Sequence, residues 1–133
     1  MFKVNEIINL GIGTDIENIE RFKKLDRAND CLFLAKIFSM NELNYCFSKE
    51  NAAPHLAARF AAKEAVTKAL NSIYETVPSY NEIEILNKEN GVPFVKIHDD
   101  GFHGINVHIS LSHCKDKALA FAIVIGPSAH END

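Results

Sequence analysis

Five charged residues sit where plain surface charge is an incomplete explanation. On a helical projection of the alanine-rich segment Pro54–Leu70, at 100° per residue, Leu56, Phe60, Val66, Thr67 and Leu70 share a sector about 120° wide. Arg59 and Lys63 fall inside that apolar sector. Glu64 and Lys68 lie four residues apart on an adjoining face flanked by Ala57 and Ala61. Two readings are open. In one, Arg59 and Lys63 run their stems along apolar surface and Glu64–Lys68 is a surface pair worth about 0.3–0.5 kcal/mol. In the other, the acids and bases together receive a polyanion and a divalent cation. Asp15 favours the second, because it ends an apolar segment just after Gly11 and Gly13, residues that let another backbone come close. Capping of the following helix is the competing role for Asp15. Asp15 with Glu64 would suit magnesium, a hard ion that takes one or two carboxylates and leaves its other positions to phosphate oxygens and water.

His113 follows Ser110-Leu111-Ser112 at the end of an alternating strand, where a histidine serves either as a hydrogen-bonded turn residue or as a participant in chemistry. His55, His98, His103, His108 and His130 show no HxxxH or HExxH spacing, so no zinc site is expected. The chain has no GxSxG elbow, Walker A loop or complete GxGxxG fingerprint.

The elements that would position these residues follow from period and punctuation. Ile7–Ile16 reads as a strand running into a glycine-spaced turn at Gly11–Asp15. Glu17–Arg27 reads as a helix with Ile19, Phe22 and Leu25 on its buried stripe and Arg21, Lys23, Lys24 and Arg27 on its outer face. Ser39 and Glu42 form a capping-box pattern that opens a short helix to about Phe47. Pro54 suits the first turn of the long alanine-rich helix that ends at Leu70. Glu82–Asn87 and Val92–His98 flank an Asn-Gly turn and predict a hairpin. Ile105–Leu111 and Ala118–Ile125 predict a second strand pair, and residues 126–133 a loose tail. The expected fold class is α+β, with a mostly antiparallel sheet packed against a long central helix in one domain, residues 1–125.

Composition bounds the function. The 133 residues carry 14 Lys plus Arg against 18 Asp plus Glu, a net charge of −4, which argues against a general nucleic-acid binder. With 47% hydrophobic and 24% charged residues, the chain can build a core and is not a disordered segment. Its apolar runs fall well short of the roughly 20 residues that span a bilayer, so no membrane partner is expected. Lys3, Asn5 and Glu6 interrupt any apolar leader. Cys31, Cys46 and Cys114 are odd in number and lack CxxC spacing, as expected of reduced thiols in a cytoplasmic protein.

Three blocks of sequence resemble the holo-[acyl-carrier-protein] synthases, small bacterial 4′-phosphopantetheinyl transferases. Gly11-Ile12-Gly13-Thr14-Asp15-Ile16-Glu17, followed by Glu20-Arg21, is similar to the family's first motif. Residues Arg59–Leu70 resemble its signature helix, and Val107–His113 its third motif, with the alanine-rich strand Ala118–Ile125 behind it. The resemblance covers about Gly11–Ile125. Two positions depart from the pattern: Asn71–Tyr74 stands where the family often has a glycine-rich stretch, and Val92 where its Asn-Gly turn usually has lysine.

The resemblance implies a homotrimer with active sites shared between subunits. Its activity would be transfer of 4′-phosphopantetheine from coenzyme A to a serine of apo acyl carrier protein in fatty acid biosynthesis. It implies Mg2+ on Asp15 and Glu64, with Glu64, Lys68 and His113 as catalytic residues and Glu64 as the first choice of base. Coenzyme A would be met by Arg59, Lys63, Lys68, Gly91, Pro93 and His113, and the carrier protein would dock on Arg21, Lys24 and Arg27. A coenzyme A or nucleotide binder without chemistry, a structural trimer, and a transferase for polyketide or peptide-synthetase carriers are the competing readings.

Overall fold

The first strand and the long helix meet at two glycines. The structure, a computed structural model, describes residues 9–127. In it β1 (Leu10–Asn18) lies directly against α3 (Ala53–Asn71). A Cβ on Gly13 would stand 1.9 Å from the Ala65 carbonyl oxygen, and one on Gly11 2.0 Å from that of Ala69. No side chain fits there. On the helix side Ala57, Ala61, Ala62, Ala65 and Ala69 are fully buried, which keeps the approach short. The glycines therefore lie within the strand and not in a turn, correcting the expectation at Gly11–Asp15. Ile7 and Ile8 of the predicted strand, His130 and residues 128–133 of the predicted tail lie outside the described residues.

β1 pairs antiparallel with β5 (Lys117–Ile125), and β5 pairs antiparallel with β4 (Asn106–His113), giving the strand order β1-β5-β4. Alternation in β4 holds, since Val107, Ile109 and Leu111 turn toward the core while His108, Ser110 and Ser112 are exposed. β2 (Ile83–Asn87) and β3 (Pro93–Ile97) form a separate antiparallel hairpin. Its turn places Gly91 at φ 88°, a left-handed conformation that favours glycine. The α+β class and the long helix are thus present, with two antiparallel sheets in place of one among the described residues.

The segment after β1 differs from its sequence reading. Ladder pairing of Glu17 with Ala118 and Asn18 with Lys117 keeps the backbone extended through residue 18. Only a four-residue 3-10 turn follows, Ile19–Phe22. The Asp26 carboxylate then accepts from the N–H groups of Ala28 (2.8 Å) and Asn29 (3.2 Å), a local bond that competes with helix continuation. Ile19 and Phe22 are nonetheless buried, as their spacing predicted. A helix that was not expected, α1 (Cys31–Ile37), comes next. α2 (Met40–Phe47) begins at the predicted capping box, with the Glu42 N–H donating to Ser39 Oγ and the Ser39 N–H to Glu42 Oε1.

Candidate active site

Close packing of β1 on α3 brings Asp15 beside the middle of the helix. Lys68 Nζ donates to the Thr14 carbonyl at 2.9 Å and approaches Asp15 Oδ1 at 3.4 Å. Asp15 is a mid-strand residue and caps no helix. Its side chain is only 13% exposed, and its Oδ2 is buried with no hydrogen-bond partner among the described residues. Glu64 Oε1 accepts from the Tyr80 phenol at 2.5 Å. Glu17 completes the cluster. Burial, a hydrogen bond with Asp15 and the charges of Asp15 and Glu64 push its carboxyl up to about 7, against the pull of Arg21. Burial and the Glu64 hydrogen bond likewise raise the Tyr80 phenol to about 12. Three acids therefore cluster with Lys68 beside them, and one acidic oxygen has no partner among the described residues.

Among the described residues no group of three or more His, Cys, Asp or Glu side chains is arranged to hold a metal by itself. Two carboxylates and an orphaned oxygen suit an ion that completes its shell with water and a ligand's phosphate oxygens, as Mg2+ does. The residues present fit that group.

A second feature lies on the other side of α3. Arg59 and Glu64 are five residues apart, which sets them about 140° apart around the helix. A cleft of about 450 Å³ runs between α3, the β2–β3 turn and the end of β4, with Arg59, Gly91, Val92, Pro93 and His113 on its walls. Arg59 is nearly buried, stacks over Tyr45 at 4.1 Å and donates to the Asn87 side chain, while its Nε has no partner among the described residues. His55 also lines the cleft, and burial together with the positive charges of Arg59, Lys49 and His113 pushes it below the ordinary histidine range. A cationic, aromatic-floored slot of this kind suits a planar base with an attached phosphate.

The structure brings Asp15, Glu64 and Lys68 together in one place, and Arg59, Gly91, Pro93 and His113 together in another. Within one chain the two are apart: His113 pairs with Ala118, which pairs with Glu17, so two strand spacings, roughly 10 Å, separate His113 from β1.

Lys63 belongs to neither place, and its expected contact with coenzyme A is corrected. Its side chain is fully buried, donating to Glu42 Oε1 at 2.7 Å, to the Tyr80 carbonyl at 2.9 Å and to the Ile83 carbonyl at 2.5 Å. All three ammonium hydrogens are engaged, leaving none for a phosphate. Burial lowers the Lys63 ammonium from its ordinary value while Glu42 works to raise it.

The basic residues also sit differently from their sequence reading. Arg21 lies in the 3-10 turn, pairs with Glu17 at 2.7 Å and stands over the Phe22 and Phe60 rings. With Lys24 it lines a shallow open depression. Arg27 reaches across to Asn44 (2.5 Å) and the Met40 sulfur (3.3 Å) of α2. They do not form one helical face, because the predicted helix is absent there.

Two residues of the cluster escaped the sequence reading. Glu17 follows Asp15 at the period-two spacing that puts both on one side of a strand, a signal masked by reading residue 17 as the start of a helix. Tyr80 gives no local signal, since it meets Glu64 only through the fold.

The fold and these clustered groups define a class. A family model described as the 4′-phosphopantetheinyl transferase superfamily matches residues 11–124. Among curated relatives, the holo-[acyl-carrier-protein] synthase of Protochlamydia amoebophila is 43% identical over 119 residues, covering 87% of this chain and 98% of the relative. That of Thermodesulfovibrio yellowstonii is 44% identical over 114 residues, covering 86% and 96%. The chain belongs to the holo-[acyl-carrier-protein] synthase family of this superfamily. Among solved structures it is similar to the Bacillus anthracis synthase in complex with CoA (3′,5′-ADP), with TM-score 0.70, 30% identity, and 87% and 96% of the two chains covered. It is likewise similar to the Helicobacter pylori synthase in complex with coenzyme A, with TM-score 0.71, 28% identity, and 85% and 98% covered.

Proposed function

We propose that this chain transfers 4′-phosphopantetheine from coenzyme A to a serine of an apo acyl carrier protein, releasing adenosine 3′,5′-bisphosphate. The activity is that of its named relatives, and it serves fatty acid biosynthesis in the cytoplasm. The observation that carries the reading is the unpartnered, buried Asp15 Oδ2 set beside Glu64 and Lys68, on a strand that glycines hold against the helix.

Asp15 and Glu64 would hold Mg2+. When bound, the ion would supply positive charge to offset that of the coenzyme A pyrophosphate. Lys68 adds a point charge at the open edge of the cluster, where the leaving phosphate grows more negative. Arg59 and His113 bind the nucleotide end, with Gly91 and Pro93 shaping the wall beside the base. Glu64 is the first choice of base for the attacking serine, acting through a water molecule beside its carboxylate. Residues 1–125 act as one domain.

We further read the working enzyme as a homotrimer in which the acidic cluster of one protomer faces the nucleotide cleft of the next. The separation of the two half-sites supports this. So does the outer face of the three-stranded sheet, where Leu10, Ile12, Ile16, Leu119 and Phe121 are all exposed. An apolar face of that extent is a signature of an interaction surface. The carrier docks by charge on Arg21, Lys24 and Arg27, so its apparent affinity falls as salt rises and as Arg21 or Lys24 is neutralised.

The deciding experiment incubates an apo acyl carrier protein with this protein, coenzyme A and Mg2+, and reads intact mass. A gain of about 340 Da that EDTA prevents establishes both transfer and metal dependence. No gain with carriers from several pathways overturns the reading in favour of a protein that only binds coenzyme A.

A further inference from the structure

Lys63 and Glu64 are consecutive residues of α3, and both hold Tyr80. The Lys63 ammonium takes the Tyr80 carbonyl at 2.9 Å, and the Glu64 carboxylate takes the Tyr80 phenol at 2.5 Å. The tyrosine is thus held at both ends by one turn of helix. Its ring lies 5.8 Å from that of Phe60, four residues before Glu64 on the same helix. Lys63 is itself fixed by Glu42, whose Oε1 also accepts the Ser39 N–H and whose Oε2 accepts the Ile85 N–H at 3.0 Å. A continuous set of buried and half-buried contacts therefore runs from the cap of α2, through Lys63, to the phenol that rests on Glu64.

We propose that Tyr80 is a positioning residue for Glu64, its phenol fixing Oε1 so that Oε2 alone is presented to a divalent cation. The proposal rests on the metal-site reading above. A glutamate has three rotatable side-chain bonds, and an unrestrained carboxylate loses that freedom when it ligates an ion. A ligand already hydrogen-bonded at one oxygen loses less, which is why partners behind the ligands matter to metal affinity. The donor is suited to the task. A phenol orients the carboxylate while adding no positive charge, so the cluster keeps its full attraction for a cation; an ammonium in the same place would cancel it. Lys68, the nearby cation, donates to Thr14 and Asp15 instead, so the two carboxylates are held by different partners.

The test uses the full chain and Mn2+ as probe, with free Mn2+ followed by electron paramagnetic resonance during titration. Tyr80→Phe removes one oxygen and keeps the ring against Phe60. It is expected to weaken Mn2+ binding about tenfold, the lower end of what such partners contribute, while the thermal midpoint stays near that of the unaltered protein. Phe60→Leu loosens the ring packing without touching the hydrogen bond and is expected to leave Mn2+ affinity unchanged. Glu64→Gln marks binding that belongs to this site. If Tyr80→Phe binds Mn2+ as tightly as the unaltered protein while Glu64→Gln does not, the role of Tyr80 is overturned and the metal site stands. Equal losses in Tyr80→Phe and Phe60→Leu overturn it in favour of packing. If the unaltered protein shows no Mn2+ binding that Glu64→Gln removes, the metal-site reading falls and this proposal with it.

Discussion

A buried carboxylate oxygen without a partner costs about 1–3 kcal/mol of desolvation. Asp15 Oδ2 is such an oxygen, and Glu17 beside it is pushed up to about 7, so the cluster is held at some expense to the protein free of ligand. Residues kept for function commonly oppose stability in this way. Asp15→Asn supplies an N–H to the cluster and removes one charge. It is expected to raise the thermal midpoint of the ligand-free protein by about 3–6 °C, the equivalent of ~1 kcal/mol in a chain of this size, while turnover falls at least ~100-fold. Calorimetry and a transfer assay check the pair, and undiminished turnover would remove Asp15 from the site. Lys63 makes the opposite case, since its charge serves the fold. Lys63→Met leaves Glu42 buried without its cation and is expected to cost about 3–5 kcal/mol in urea unfolding, with KM for coenzyme A unchanged in the folded enzyme. A raised KM at full stability would restore the reading of Lys63 as a phosphate ligand. The helical projection located both Arg59 and Lys63 on the buried sector, but it could not tell a ligand-facing cation from a core one. Lys63's partner, Glu42, lies 21 residues earlier on another helix.

Elements set by local rules were legible in the sequence. The capping box of α2, the alanine-rich α3 and the Asn-Gly hairpin each depend on residues a few positions apart, and each forms where the pattern put it. The stretch after Asp15 was not legible in the same way. Its extended conformation is imposed by β5, about a hundred residues later, and the apolar spacing of Ile19, Phe22 and Leu25 looks the same whether or not a helix follows. The two glycines mark a close approach, as their spacing predicts, but they do so inside a strand and not in a turn. Gly13→Ala tests the approach itself. Its Cβ would meet the backbone of α3, which no rotamer change relieves, so β1 must move and carry Asp15 with it. A loss of about 1–3 kcal/mol or more is expected, with turnover falling further than the folded fraction does. An unchanged stability in urea would mean that β1 and α3 are not in this contact. The hairpin carries a pH signature as well. Burial tends to raise the Glu84 carboxyl, but hydrogen bonds from Ser39 (2.5 Å), His98 (2.9 Å) and Asn41 (3.2 Å) outweigh it and hold the group below its ordinary value of 4.5. A depressed carboxylate stabilises the fold above its unfolded value, and that contribution is lost as pH falls through the folded value. Stability should therefore drop as pH goes below about 4.5, and Glu84→Gln should flatten that part of the profile. Thermal unfolding across pH 3–6 reads the difference, and parallel profiles would count against the Glu84 network.

At the scale of the whole molecule, the two half-sites and the apolar sheet face call for one explanation. Arg59 and Glu64 look away from each other around the same helix, and His113 is separated from Glu17 by β5, so the acidic cluster and the cleft, the two halves of the site we propose, stay apart within one chain. The exposed Leu10, Ile12, Ile16, Leu119 and Phe121 lie on one face of the sheet, at residues that alternate with buried Gly11, Gly13, Ala118, Ala120 and Ala122. Covering that face with copies of the same chain removes apolar surface from water, and a heterologous ring closes when the rotation between copies permits it. If each site joins Asp15 and Glu64 of one protomer to Arg59 and His113 of its neighbour, damage to the two halves can be complemented. Glu64→Gln and Arg59→Ala should each be inactive alone. Unfolded and refolded together in equal amounts, every mixed trimer contains one junction where an intact acidic cluster meets an intact cleft, so about a quarter of full activity should return. Sites contained within single chains would recover nothing, because every chain in the mixture carries one broken half. Phe121→Asp supplies the companion result: a charge on the apolar face should yield monomers by light scattering and abolish turnover, although Phe121 belongs to neither half-site. An active monomer would separate oligomerisation from catalysis and leave the two half-sites to close within one chain.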